Sequence, residues 1–132
     1  MGPVAGFLTA LLVTVAFLAG AAVTGRMRRI RAHVAMVLGS VVSLGVAIYF
    51  ALSVGEIYDL EAAGRITPIH LGLARLTTAA YLWPLITGPL AARGKVSRKA
   101  HHVGAYVALG LTVAATVTGV MMLMGAEPLH PV

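Results

Sequence analysis

Apolar residues in this chain come in four long runs, approximately Pro3–Thr24, Ala32–Val54, Pro68–Ala92 and Ala100–Met124, and nearly all charges fall in the short stretches between them. A helix needs about 20 apolar residues to cross roughly 30 Å of hydrocarbon, and each run meets that length. A closed barrel is the other structure that satisfies backbone polar groups in lipid, but its strands alternate lipid-facing and lumen-facing residues. Val41–Leu52 and Val103–Met124 show no such alternation. The pattern predicts an all-α integral membrane protein, with residues 1–132 forming a single transmembrane four-helix bundle.

Composition agrees with the pattern. Hydrophobic residues make up 59% of the chain and charged residues 11%, with a mean hydropathy of +0.93, far from a soluble domain. Because the connections are short, chemistry is expected in the bundle or at its rims.

The formal charge of +6 changes the picture through its placement. Arg26, Arg28, Arg29 and Arg31 fill the first connection, and Arg93, Lys95, Arg98 and Lys99 the third. The second, from Gly55 to Thr67, carries Glu56, Asp59 and Glu61 with only Arg65. By the positive-inside rule the first and third connections are cytoplasmic and both termini lie on the outer, periplasmic side. The charge therefore orients the chain in the lipid bilayer, with attraction to anionic lipids or propionates as the other reading; nucleic acid is not an expected partner. Ala19–Gly20–Ala21–Ala22 looks like a signal-cleavage site, but no basic segment precedes the first run and a basic block follows it, so a retained helix is expected. The alanine-, valine- and arginine-rich usage suits a multi-pass protein of a bacterial inner (cytoplasmic) membrane.

The absence of cysteine excludes disulfides, thiolate metal sites, iron–sulfur clusters and thioether-linked haem. No phosphate-binding glycine loop, hydrolase elbow or metalloprotease helix motif occurs. Histidine remains. His33 follows the first basic run, His101 and His102 follow the last, and His70 opens the third apolar run after Pro68. His33 and the His101–His102 pair fall at one depth near the cytoplasmic face. At 3.6 residues per turn, His101 shares a face with Ala105, Ala108, Thr112, Ala115, Gly119 and Met122, whereas His102 shares one with Tyr106, Leu109, Val113, Thr116 and Val120. The small-residue face leaves space for a neighbouring helix or a flat ligand, which favours His101, although a small rotation exchanges the two. His33 and His101 are accordingly the candidate axial ligands of one b-type haem iron. Arg29 and Arg98 stand among the rim cations suited to its propionates. The competing reading is that each histidine is an interfacial polar residue beside its basic cluster. His70 lies a membrane thickness away, so a second, outer site would have to combine it with His130.

Arg75 lies within the third run, where an arginine costs about 2.5 to 3.5 kcal/mol at mid-helix. It is expected to face the bundle, meeting a haem propionate or head group, or reaching the acids of the outer rim. Pro84 is expected to kink the third helix, along which His70, Ala74, Thr77 and Tyr81 form a polar stripe. Met121, Met122 and Met124 offer a minor copper alternative.

Arg28-Arg29-Ile30-Arg31-Ala32-His33, Ile69-His70-Leu71, and Arg98-Lys99-Ala100-His101-His102 through Thr118-Gly119 resemble two groups. One is the small four-helix bacterial membrane proteins associated with haem–copper oxidase maturation; the other, more distant, is the cytochrome b561 and ferric-reductase-like transmembrane proteins. The resemblance spans about residues 26 to 124. It implies haem or copper handling near a respiratory chain, in electron transfer or in assembly. The outer histidine pair of a two-haem b561 core is incomplete here unless His130 serves. Three roles follow as expectations: a redox or haem-handling subunit; a cofactor-free accessory or assembly subunit of a larger membrane complex, or a homo-oligomer; and a small proton-coupled carrier using His70 and Arg75, against which stands the lack of any intramembrane carboxylate.

Overall fold

The computed structural model describes residues 2–129. Its elements run α1 (Pro3–Arg26), α2 (Ile30–Gly55), β1 (Tyr58–Asp59), a 3-10 turn (Glu61–Ala63), α3 (Ile66–Ala80), α4 (Leu82–Ala92), α5 (Arg98–Gly125) and β2 (Glu127–Pro128). The chain is mostly helical, and α1, α2 and α5 are long and apolar enough to cross a membrane. Two compact units are formed, one from the residues up to Gly64 together with those from Val120 on, the other from Arg65 to Gly119.

In the first unit α1 and α2 form an antiparallel hairpin. Glycine on each helix admits an aromatic ring of the other: a Cβ at Gly6 would stand 2.5 Å from Phe50, and one at Gly39 would stand 2.6 Å from Phe17. Phe7, Ala10, Leu11, Ala47 and Val54 make the apolar core. Between the helices lie three buried hydroxyls, of Thr14, Ser40 and Ser43, with Thr14 fully covered. Thr14 Oγ1 lies 2.8 Å from the Ala10 carbonyl and 2.9 Å from Ser43 Oγ, which donates to the Ser40 carbonyl at 3.2 Å. Such interhelical hydrogen bonds hold helices together where lipid removes the hydrophobic drive.

The connection from α1 to α2 is tight. The Met27, Arg28 and Arg29 amides donate to the carbonyls of Val23, Gly25 and Thr24, closing the end of α1 with Arg28 at φ 55°. That left-handed position is one glycine normally takes. At the other end of the hairpin, Tyr58 and Asp59 pair antiparallel with Pro128 and Glu127, and the Leu129 amide donates to the Ile57 carbonyl at 3.0 Å. The segment after α5 is thus tied through residue 129; His130 lies outside the described residues.

In the second unit the third apolar run is two helices, not one. The break falls at Tyr81, three residues before Pro84. Proline has no N–H to give the Ala80 carbonyl, and its ring crowds that turn; the backbone bonds Tyr81 to Thr77 and Leu85 to Tyr81, each 3.2 Å, hold on either side. Helix α3 and its capping residue bury Thr67, His70, Thr77 and Tyr81, with Ala74 half-buried, so the polar stripe read from the spacing faces inward. Arg75 does not. It is exposed, about 125° around the helix from that stripe at 100° per residue. The expectation that its charge turns it into the bundle is corrected: four inward positions fix the rotation of α3, and one arginine does not reverse it.

Of the small face assigned to His101, helix α5 buries Ala108, Thr112, Ala115 and Gly119 and leaves Ala105 half-buried, and Gly104 beside them is buried as well. Thr112 lies 3.5 Å from the Tyr81 hydroxyl, and a Cβ at Gly104 would stand 2.6 Å from Trp83.

Candidate histidine sites

Three histidines are set in the same kind of socket. His33, in the first turn of α2, lies against Gly25 of α1, where a Cβ would come within 3.1 Å of Nδ1. His101, in the first turn of α5, lies against Gly88 of α4, where a Cβ would come within 3.2 Å of Cε1. His70 of α3 lies against Gly119 of α5, with the corresponding distance 2.9 Å. Each of these glycines follows a threonine: Thr24-Gly25, Thr87-Gly88 and Thr118-Gly119. The small residue opens the notch, and the imidazole of the neighbouring helix fills it.

The socket contacts at Nδ1 each fit a ring that donates from that nitrogen. His33 Nδ1 lies 2.8 Å from the Ala21 carbonyl oxygen, which can only accept, so Nδ1 is the donor. His101 Nδ1 lies 3.3 Å from Thr87 Oγ1, and that hydroxyl already donates to the Trp83 carbonyl at 2.8 Å. Having one proton, Thr87 accepts from the ring. The same holds for His70 Nδ1, 3.2 Å from Thr118 Oγ1, since Thr118 donates to the Ala114 carbonyl at 2.9 Å. In neutral imidazole with Nδ1–H, the lone pair sits on Nε2. A metal-bound histidine has this arrangement, its second nitrogen donating to a carbonyl or similar acceptor that fixes tautomer and ring orientation.

His33 belongs to the first unit, and His70 and His101 to the second. Within the second unit His70 and His101 are far apart: His70 meets α5 at Thr118 and Gly119, about 26 Å of helical rise from His101. They do not share an ion. His102 is exposed, its ring centroid 6.0 Å from that of His101, so of the adjacent pair His101 is the one in a socket. Arg29, directly before α2, and Arg98, first in α5, are both exposed. Arg75 is exposed as well. Of these three methionines, Met122 is buried whereas Met121 and Met124, one turn apart on α5, are both exposed, so Met122 does not share the face of the other two. Among the described residues no group of three or more His, Cys, Asp or Glu side chains is placed to hold a metal ion.

The socket partners are what reading the histidines alone missed. Their signal was in the chain: Thr-Gly occurs three times, and each copy receives one histidine. No family model, curated protein or solved structure matches this chain.

Proposed function

We propose that this chain is a multi-pass four-helix protein of a bacterial inner membrane, both termini outward, that binds a b-type haem and acts in electron transfer or haem handling near a respiratory chain. His33 and His101 are each a candidate axial ligand. The observation that carries this reading is the pair of matching sockets: each histidine opens the second helix of a hairpin directly after a basic connection, with its Nδ1 proton committed to an acceptor on the preceding helix. Those residues suit the group, since a haem iron takes the Nε2 lone pair of an imidazole held in this way. The protein's part is to fix ring orientation and basicity and to offer arginines for the propionates. A haem bound there would supply one-electron redox chemistry.

The His70 socket favours a second reading. It has the same construction at the far end of α5, with no other histidine of its unit beside it, and so joins two helices by itself. On that reading the sockets are packing devices, and the chain is a cofactor-free accessory or assembly subunit of a larger membrane complex.

A reduced-minus-oxidised visible spectrum of the protein purified in mild detergent, with a pyridine haemochrome assay, separates the two. Haem binding gives a sharp b-type band that is lost in His33→Ala and in His101→Ala and kept in His102→Ala. A featureless spectrum from protein supplied with haem during expression, with both variants accumulating normally, overturns haem binding in favour of the accessory role.

A further inference from the structure

Arg75 is a cation on the outward face of a helix that is otherwise apolar there. Pro68, Leu71, Arg75, Ala79 and Leu82 form one exposed row, and no described residue hydrogen-bonds or ion-pairs with the guanidinium. It stands nine positions after Ile66 at the start of α3, about 14 Å of helical rise; with the third apolar run read as a membrane span beginning there, this is close to half of a hydrocarbon core of roughly 30 Å. A charge at that depth normally meets an opposite charge or a wet cavity.

The chain itself holds no answering charge. Its acids are Glu56, Asp59, Glu61 and Glu127, all outside the long helices. A second copy would therefore bring no carboxylate to the middle of a helix, which excludes self-association as the source of a counter-charge. The row around Arg75 is also shallow: a Cβ at Gly72 would meet nothing within 4 Å, and Thr78 and Ala79 are exposed. A helix laid along it can come near the guanidinium.

We infer that the Arg75 face of α3 docks on a transmembrane helix of a different protein, one that presents an aspartate or glutamate at the depth of Arg75. The carboxylate and the planar guanidinium make a bidentate pair shielded from water, and the exposed Leu71 and Leu82 pack on either side. Docking of this kind does not depend on haem and stands whichever role the histidines have.

Photo-crosslinking in the host membrane tests it, with benzoylphenylalanine placed at Leu71 and at Ala79 in turn. The expected result is one polypeptide crosslinked from both positions, mapped by peptide mass to a membrane helix containing an acid. Its yield falls at least about tenfold in Arg75→Ala and Arg75→Glu, a loss of 1.4 kcal/mol or more, and is unchanged in Arg65→Ala. Exchanging charges, Arg75→Glu together with acid→Arg in the partner, restores it. Immunoblotting confirms that each variant accumulates, and the charge exchange keeps the test decisive if Arg75→Ala does not. Adducts to lipid alone, to a second copy of this chain, or to a helix without an acid overturn the inference, as does a yield indifferent to Arg75.

Discussion

His70 is seated on Gly119. A Cβ at that glycine would lie 2.9 Å from the ring's Cε1, while Thr118 next to it holds Nδ1. The close approach of α3 and α5 exists because one partner has no side chain. Gly119→Ala should therefore force the ring out of its notch at a cost of about 1–3 kcal/mol, seen as a lower thermal midpoint in detergent by circular dichroism. Adding His70→Ala should recover part of the loss. Strictly additive effects would show that the two residues do not meet.

Tautomers can be read directly. In protein labelled with ¹⁵N-histidine and free of haem, the neutral rings of His33, His70 and His101 should carry the proton on Nδ1. Thr87→Val removes the acceptor of His101 alone, so its ring signals should shift while those of His33 and His70 stay. A His101 proton on Nε2 in the parent protein would contradict the socket geometry.

The hydroxyls between α1 and α2 should contribute modestly. Thr14→Val keeps shape and removes the hydroxyl; it is expected to cost about 0.6 kcal/mol, and at most about 1.7, in an unfolding titration with dodecyl sulfate. Ser43→Ala in the Thr14→Val background should cost less than Ser43→Ala alone, because the bond of 2.9 Å between them is then already gone.

Arg28 at φ 55° carries strain that glycine would not. Left-handed backbone costs a residue with a Cβ about 1–2 kcal/mol, against roughly 0.5–1 kcal/mol for the extra freedom glycine has when unfolded. Arg28→Gly should thus hold stability or raise it by up to about 1.5 kcal/mol, and Arg28→Val should lower it. The order Gly, Arg, Val in thermal midpoint checks the turn.

Much of this could be read along the chain because helical spacing is a local property. The buried face of α5 through Ala108, Thr112, Ala115 and Gly119, and the stripe of α3 through His70, Thr77 and Tyr81, follow from 100° per residue. The rotation of Arg75 did not follow, since the cost of an exposed charge suggested one direction and the four inward residues of α3 imposed another. The break at Tyr81 was displaced from the Pro84 that causes it, because proline disturbs the turn before itself. Least legible were the sockets. Each joins a histidine to a Thr-Gly pair on another helix, and a single sequence gives no distance between them. The pairing of Tyr58–Asp59 with Glu127–Pro128 is of the same kind, with two-residue strands too short to leave a periodic trace.

That last pairing orders events in time. Glu127 and Pro128 leave the ribosome about 70 residues after Tyr58 and Asp59, a delay of about 4–14 s at roughly 5–20 residues per second. Throughout it the first unit lacks its closing strand while the second is being synthesised. The hairpin that is made first is completed last, so its closure records that everything between has been delivered.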